Sequence, residues 1–229
     1  MPASRTRGQR AGITRQAILQ AALRLADREG LAALSMRRLG AELGVEAMTL
    51  YHHVPNKNAL LDGMVEHVAS EANPPSFGNS SWREELRDYA HSLLAALSAH
   101  PNVVPLFMSQ PAVTPQNLRT MEAALETLCA AGFEPRRALD VVYSLTEFVL
   151  GHAAIQVGAA RAGQDGPGRA ASLSAVDQDA YPLLSQAARA DQKHGTMSRF
   201  DFTLEALLSG FDTARSVPHE SERQRGTAS

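Results

Sequence analysis

The sequence predicts an all-α protein in two parts, and three observations carry that reading. First, 44% of the 229 residues are hydrophobic but only 5% are aromatic, and few segments show the β-branched and aromatic alternation that strands need. Second, apolar residues recur at helical spacing between Ser, Thr and Asn starts and Gly or Pro stops. Third, the charge is unevenly distributed. Residues 1–57 hold nine Lys/Arg against four acids, a balance of +5, so the remaining chain carries −7 of the net −2. A polyanion is therefore drawn to the N-terminal end. The length suffices for one good core and a smaller second one.

The elements follow in order. Residues 1–13 form an Arg- and Gly-rich arm, expected to be flexible in isolation. A head occupies 14–56. Its first helix begins near Thr14, carries Ile18, Ala22, Leu25 and Ala26 on one face, and stops at Gly30. Ser35 then caps a short helix striped by Met36, Leu39, Gly40 and Leu43, which ends at Gly44. Val45 returns to the core. Glu46 to His53 is predicted as a second short helix, closed by Val54-Pro55 because the residue before proline is biased out of the helical region. Two short helices around a glycine turn make a helix-turn-helix. Its second helix should present Ala47, Met48, Thr49 and Tyr51, a face without carboxylates, while Leu50 turns inward. Asn56 caps a connecting helix over 57–73 with Leu60, Leu61, Met64, Val65 and Val68 on its apolar side.

A larger domain is expected over 74–215. Asn73-Pro74-Pro75 breaks the connecting helix, and Ser81-Trp82-Arg83-Glu84 fits the S-x-x-E capping box ahead of Leu86, Ala90, Leu93, Leu94 and Leu97. His100-Pro101 stops that helix, and the flanking prolines allow Val103 to Met108 at most a turn or two. Pro115 opens a helix that closes at Gly132, and Pro135 opens a long one running to about Ala160. The near-continuous apolar character of that long helix requires cover on several sides. Ala162 to Ser174 should be a loop, Asp179 to Asp191 a short helix, and Ser198 to Arg215 a last helix striped by Phe200, Leu204, Leu207, Leu208 and Phe211. The helices 135–160 and 198–215 could close as a four-helix interface about a twofold axis. The tail at 216–229 is polar and expected to be disordered.

Other function classes find little support. Cys129 cannot form an internal disulfide, and it lies on an apolar helix face amid Leu125 and Leu128, where a thiol is deactivated. There is no Gly-rich phosphate loop, no metal-spaced His/Cys set and no G-x-S-x-G, so neither an enzyme nor a bound cofactor or metal is expected. The N-terminus has basic residues without a secretory apolar region, and Asp140, Glu147 and His152 interrupt the most apolar stretch. A cytoplasmic protein without a membrane segment is the expectation.

The run SMRRLGAELGVEAMTLYHHVPNK at 35–57, together with Gly30 and Leu34, resembles the DNA-binding domain of TetR-family transcriptional repressors. Ser81-Trp82, Leu128-Cys129, Gly132-Phe133 and Leu150-Gly151 extend the resemblance into the ligand-binding domain of the family's tetracycline-responsive class, so that it spans about Thr14 to Phe211. The resemblance implies a homodimer that binds a palindromic operator and releases it when a small molecule enters the body. Position by position, it implies that Arg37, Thr49, Tyr51 and His53 contact phosphates or bases and that Lys57 meets a phosphate. Ala47 and Met48 stand where that class has glutamine and proline, which implies a different operator.

The ligand side departs as well. The histidine that holds a drug-bound magnesium ion in that class is replaced near Leu106 or Phe107, and a glutamate of the metal's water shell is replaced by Ile155. No metal-tetracycline site is expected. The pocket-facing positions become Tyr89, Leu93, Phe107, Met108, Met121, Leu125, Leu128, Val142, Thr146 and Ile155, with Glu147 and His152 as polar groups within the long helix. Such a lining suits a small, mostly hydrophobic effector. A constitutive DNA binder with a filled body, or an activator of the same fold, would share every feature of the head.

Overall fold

A computed structural model describes residues 13–72, 81–109, 114–163, 177–191 and 196–215. The predicted arm apart from Ile13, the break and loop at 73–80, the loop beyond Gly163 and the tail from 216 lie outside the described residues. Ten α-helices and one 3-10 turn, with no strand, make up the described elements. They are α1 (Arg15–Glu29), α2 (Met36–Leu43), α3 (Ala47–Tyr51), α4 (Lys57–Glu71), α5 (Trp82–Ala99), α6 (Val104–Ser109), α7 (Pro115–Ala130), α8 (Pro135–Gly163), α9 (Pro182–Asp191) and α10 (Thr196–Arg215). The 3-10 turn is Leu31–Ala33.

Backbone contacts divide the chain into two units. One joins Met1–Asn73 with Ser92–Leu118, and the other joins Pro74–His91 with Arg119–Ser229. The connecting helix and the segment around α6 thus pack with the helix-turn-helix in the first unit, here called the head. The second unit is called the body.

In the head, the predicted caps form. Thr14 Oγ1 accepts from Ala17 N at 3.1 Å, Ser35 Oγ from Arg38 N at 3.2 Å, and Asn56 Oδ1 from Ala59 N at 2.8 Å. Each satisfies one of the orphan donors of a helix start. Ile18, Leu25, Leu34, Leu39, Leu50, Leu60 and Met64 are fully buried between α1, α2, α3 and α4. Two glycines let these helices approach closely. A Cβ on Gly40 would stand 2.8 Å from Val45 O, and one on Gly63 would stand 2.7 Å from Leu19 Cδ2.

In the body, Ser81 and Glu84 cap α5 reciprocally: Ser81 N and Oγ donate to Glu84 Oε2 at 3.0 and 2.9 Å, and Glu84 N donates back to Ser81 Oγ at 3.4 Å. These bonds, with the Ser81 backbone first, hold the Glu84 carboxyl below its usual range. A ladder of ion pairs then registers α5 on α10: Arg83 with Asp212, Arg87 with Glu205 at 2.6 Å, and His91 with Asp201 at 3.2 Å. At the end of α7, Gly132 N donates to Cys129 O and Phe133 N to Leu128 O, the double bond pattern of a Schellman stop, with Gly132 at φ 95°. Phe133 packs edge-on against Trp82 with ring centroids 5.0 Å apart.

The long helix is covered unevenly. α8 packs against α10 and buries Ala138, Val141, Leu145, Val149 and Ala153 on one side only. Tyr143, Ser144, Glu147, Ile155 and Gly158 on the other side are exposed, so among the described residues cover is supplied to one side of the helix. Its Pro135–Arg161 stretch has the length and mean hydropathy, 1.3, of a membrane-crossing helix, but it carries Asp140, Glu147 and His152.

Candidate nucleic-acid interface

The α2–turn–α3 geometry is fixed by a second Schellman stop. Gly44 adopts φ 69°, ψ 30°, its N donates to Ala41 O at 3.3 Å, and Val45 N donates to Gly40 O at 2.9 Å. The left-handed residue reverses the chain within one turn, and glycine takes that conformation without a Cβ penalty. The same Gly40 admits the backbone of Val45 and Ala47, so the start of α3 lies directly against α2. Leu50 and Val54 anchor α3 from below at 0% and 1% exposure.

That anchoring aims the other side of α3 outward. Met48 is 67% and Tyr51 41% exposed, and Thr49 and His53 are exposed as well. Two corrections to the sequence reading follow. Ala47 is only half exposed, because it sits against Gly40. The helix is also shorter than Glu46 to His53: Leu50 O accepts from both His53 N and Val54 N, so the helix ends at Tyr51 and His53 projects from the turn after it. One acid was missed. Glu46 is the exposed N-cap residue of α3 and makes no side-chain capping bond. A carboxylate there can accept from cytosine N4 in a major groove.

The basic residues of the head separate into two sets. Arg28 pairs with Glu42 at 3.0 Å and Glu29 at 3.2 Å, Arg38 reaches Glu29 at 2.9 Å, and Arg15 pairs with Glu66 at 3.3 Å. The hydrogen bond from Arg38 holds the Glu29 carboxyl low, and Glu42 chiefly raises Arg28. Arg37 and Lys57 are exposed and have no ion pair among the described residues. Lys57 is the first residue of α4, next to unsatisfied helix N–H groups, where backbone phosphates are well received. Charge at these two positions is available to DNA in a way that charge at Arg28 and Arg38 is not.

The candidate ligand residues fall in both units: Leu93, Phe107 and Met108 in the head unit, and Tyr89, Met121, Leu125, Leu128, Val142, Thr146, Glu147, His152 and Ile155 in the body. Within the body, Tyr89 is hydrogen-bonded to Thr146, and burial pushes its phenol up. Thr146 Oγ1 also donates to Val142 O at 2.8 Å. His152 lies 5.0 Å from the Phe200 ring, near Phe148 and within 3.0 Å of Gln156 Nε2. Burial, then the cation of Arg199, pushes its imidazole down. Glu147 is exposed rather than held inside its helix, and Met108 and Ile155 are 68% and 63% exposed. Among the described residues no group of three or more His, Cys, Asp or Glu could hold a metal ion.

Comparisons with known proteins agree with this geometry. Residues 18–64 match the family model described as bacterial regulatory proteins, tetR family, and residues 74–215 match the tetracyclin repressor-like C-terminal domain. The HTH-type transcriptional repressor DrrR1 of Streptomyces coeruleorubidus is 34% identical over 153 residues, which are 66% of this chain and 57% of that protein. The chain therefore matches just over half the length of that relative. The tetracycline repressor protein class E of Escherichia coli is 31% identical over 85% of this chain and 88% of its own length. Among solved structures, Streptomyces coelicolor ActR in complex with actinorhodin superposes with a TM-score of 0.76 at 28% identity, over 89% of this chain and 97% of that one. The chain belongs to the tetR family of DNA-binding transcriptional regulators.

Proposed function

We propose that two copies of this chain form a cytoplasmic repressor that grips a palindromic operator through α2 and α3, and releases it when a small, mostly hydrophobic effector enters the body. The observation that carries the reading is the outward set on one face of the head: Met48, Thr49, Tyr51 and His53, flanked by Arg37 and Lys57, which have no ion pair among the described residues. Phosphate contacts from Arg37, Thr49 and Lys57 position the helix, and Met48, Ala47 and Tyr51 read base edges. An exposed methionine and a small alanine favour contact with thymine methyl groups.

Dimerisation through α8 and α10 is supported by the exposed Tyr143, Ile155 and Phe202, the last 75% exposed. A twofold arrangement would set the two recognition helices about 34 Å apart, one turn of DNA. The effector acts by preferring a different spacing of the heads, so DNA and ligand weaken each other. The lining proposed for it is the body set Tyr89, Met121, Leu125, Leu128, Val142 and Thr146, with His152 as a polar contact. The likeness to ActR, solved with actinorhodin, supports a small-molecule ligand.

The test is selection of bound fragments from random duplex DNA, followed by a small-molecule screen for release. A twofold-symmetric site should emerge. Lys57→Ala should weaken binding to every duplex and lower the salt slope by about 0.9 for each phosphate no longer neutralised, whereas Met48→Ala should reorder the preferred sequences. Uniform loss for both variants, or no selected site at low salt, would overturn the reading.

A further inference from the structure

We propose that Glu46 is a specificity-determining residue at the start of the recognition helix: its carboxylate accepts from the exocyclic amine of a cytosine, so each half of the operator carries a C·G pair where α3 enters the major groove. The inference rests on the proposed function, and its test separates the two.

The backbone turns this side chain outward. Glu46 is the N-cap residue of α3, and its carbonyl accepts from Thr49 N at 3.0 Å. The residues on both sides of it are held against α2: a Cβ on Gly40 would stand 2.8 Å from Val45 O and 3.2 Å from Ala47 N. Between those two half-exposed residues Glu46 is exposed, as are Met48 and Thr49 in the turn that follows. Its side chain makes no capping bond and has no ion pair among the described residues. In a helix-turn-helix, the first residues of the second helix are the ones that meet base edges.

The chemistry of the groove then selects the base. An ionised carboxylate can only accept. Guanine presents the acceptors N7 and O6 and thymine the acceptor O4, all of which repel it. Adenine presents the N6 donor with the N7 acceptor beside it. Cytosine alone presents a donor, the N4 amine, with no acceptor at its side. A carboxylate that loses its water in the groove without gaining a donor is costly, so the wrong base is penalised rather than merely unrewarded. Ala47 to Tyr51 are uncharged, and no cation on α3 offsets the acid. Arg37 and Lys57 would attract every duplex alike through its phosphates. Glu46 repels every duplex and offsets that only over cytosine.

The experiment puts the full chain and its Glu46→Gln and Glu46→Ala variants through selection from random duplex DNA. Wild type should select a cytosine at one position of each half-site. Glu46→Gln should select an adenine there, since an amide bonds both N6 and N7, and Glu46→Ala no fixed base. Changing that cytosine to thymine in one half-site should weaken wild type about tenfold, within the usual range for one mismatched pair, and Glu46→Ala less than about twofold. The thermal midpoints of both variants should lie within about 2 °C of wild type, because the Glu46 side chain caps nothing. The same bases selected by all three proteins, a wild-type site without the cytosine, or equal losses in wild type and Glu46→Ala overturns the proposal. A midpoint lowered further than that in both variants makes the residue structural and overturns it too. If wild type selects no duplex at low salt, the proposed function itself has failed; a selected site without the cytosine removes this inference alone.

Discussion

The head and the body solve the burial problem differently. In the head, helices of five to fifteen residues are stapled by caps and by glycines that admit a neighbour, and Leu50, Leu60 and Leu34 vanish from the surface. Its core is complete within one chain. In the body, a helix of 29 residues covers one face and leaves Tyr143 and Ile155 exposed, and α10 leaves Phe202 exposed although Phe200 is fully buried. Large apolar residues left open on adjacent helices mark a surface awaiting another. The head closes its core within the described residues, whereas the body leaves the apolar surface that the proposed dimer would cover.

The sharpest way to break that contrast is to charge the open face. The pair Ile155→Asp and Phe202→Asp should convert a dimer to monomers, weakening self-association by at least about 100-fold, since two carboxylates would be buried without partners. Sedimentation equilibrium reads the change. Unfolding of the monomeric variant should keep the stability of the head, and an unchanged dimer would remove α8 and α10 from the interface.

The head should respond to the opposite kind of insult, added volume. Gly40→Ala places a Cβ 2.8 Å from a backbone oxygen that cannot step aside, so a loss of about 1–3 kcal/mol is expected in urea titration. Gly63→Ala meets the ends of Leu19 and Arg15, which can rotate, and should lose less than half as much. Equal losses would mean that the α2–α3 approach is not a tight one.

The smallest effect belongs to the body and depends on pH. His152 in the body has its imidazole pushed below the ordinary 6.5, first by burial and then by Arg199. The unfolded chain therefore takes up that proton first as pH falls, and stability is lost on the acid side of 6.5. His152→Leu should flatten the acid limb of a urea-midpoint profile between pH 7 and 5. A profile steepened by the substitution would show that the ring is charged in the native state.

How legible all this was follows from the range of the interactions. Ser35, Asn56, Ser81 with Glu84, Gly44 and Gly132 mark helix ends through bonds spanning three to five residues, and a linear reading finds them. The face of Met48, Thr49 and Tyr51 was legible for the same reason, since Leu50 and Val54 fix its direction. What the sequence does not display is contact across long separations. His100-Pro101-Asn102 reads only as a stop signal, yet it closes α1 some 73 positions earlier. The half-covering of Ala47 depends on a glycine that reads as part of an apolar stripe. The exposure of Glu147 and Ile155 depends on which side of α8 the chain leaves uncovered, and periodicity cannot choose between two apolar sides.

The ion pairs that join Arg28 and Arg38 to Glu29 and Glu42 have a kinetic consequence. A regulator must find one site among millions of others that attract it through charge alone, and time spent on them grows with every cation it can exchange for counterions. With Arg28 and Arg38 already paired inside the head, the proposed grip on random sequence would be lower while the proposed groove-facing residues are kept, and each unproductive stop along the chromosome would be shorter.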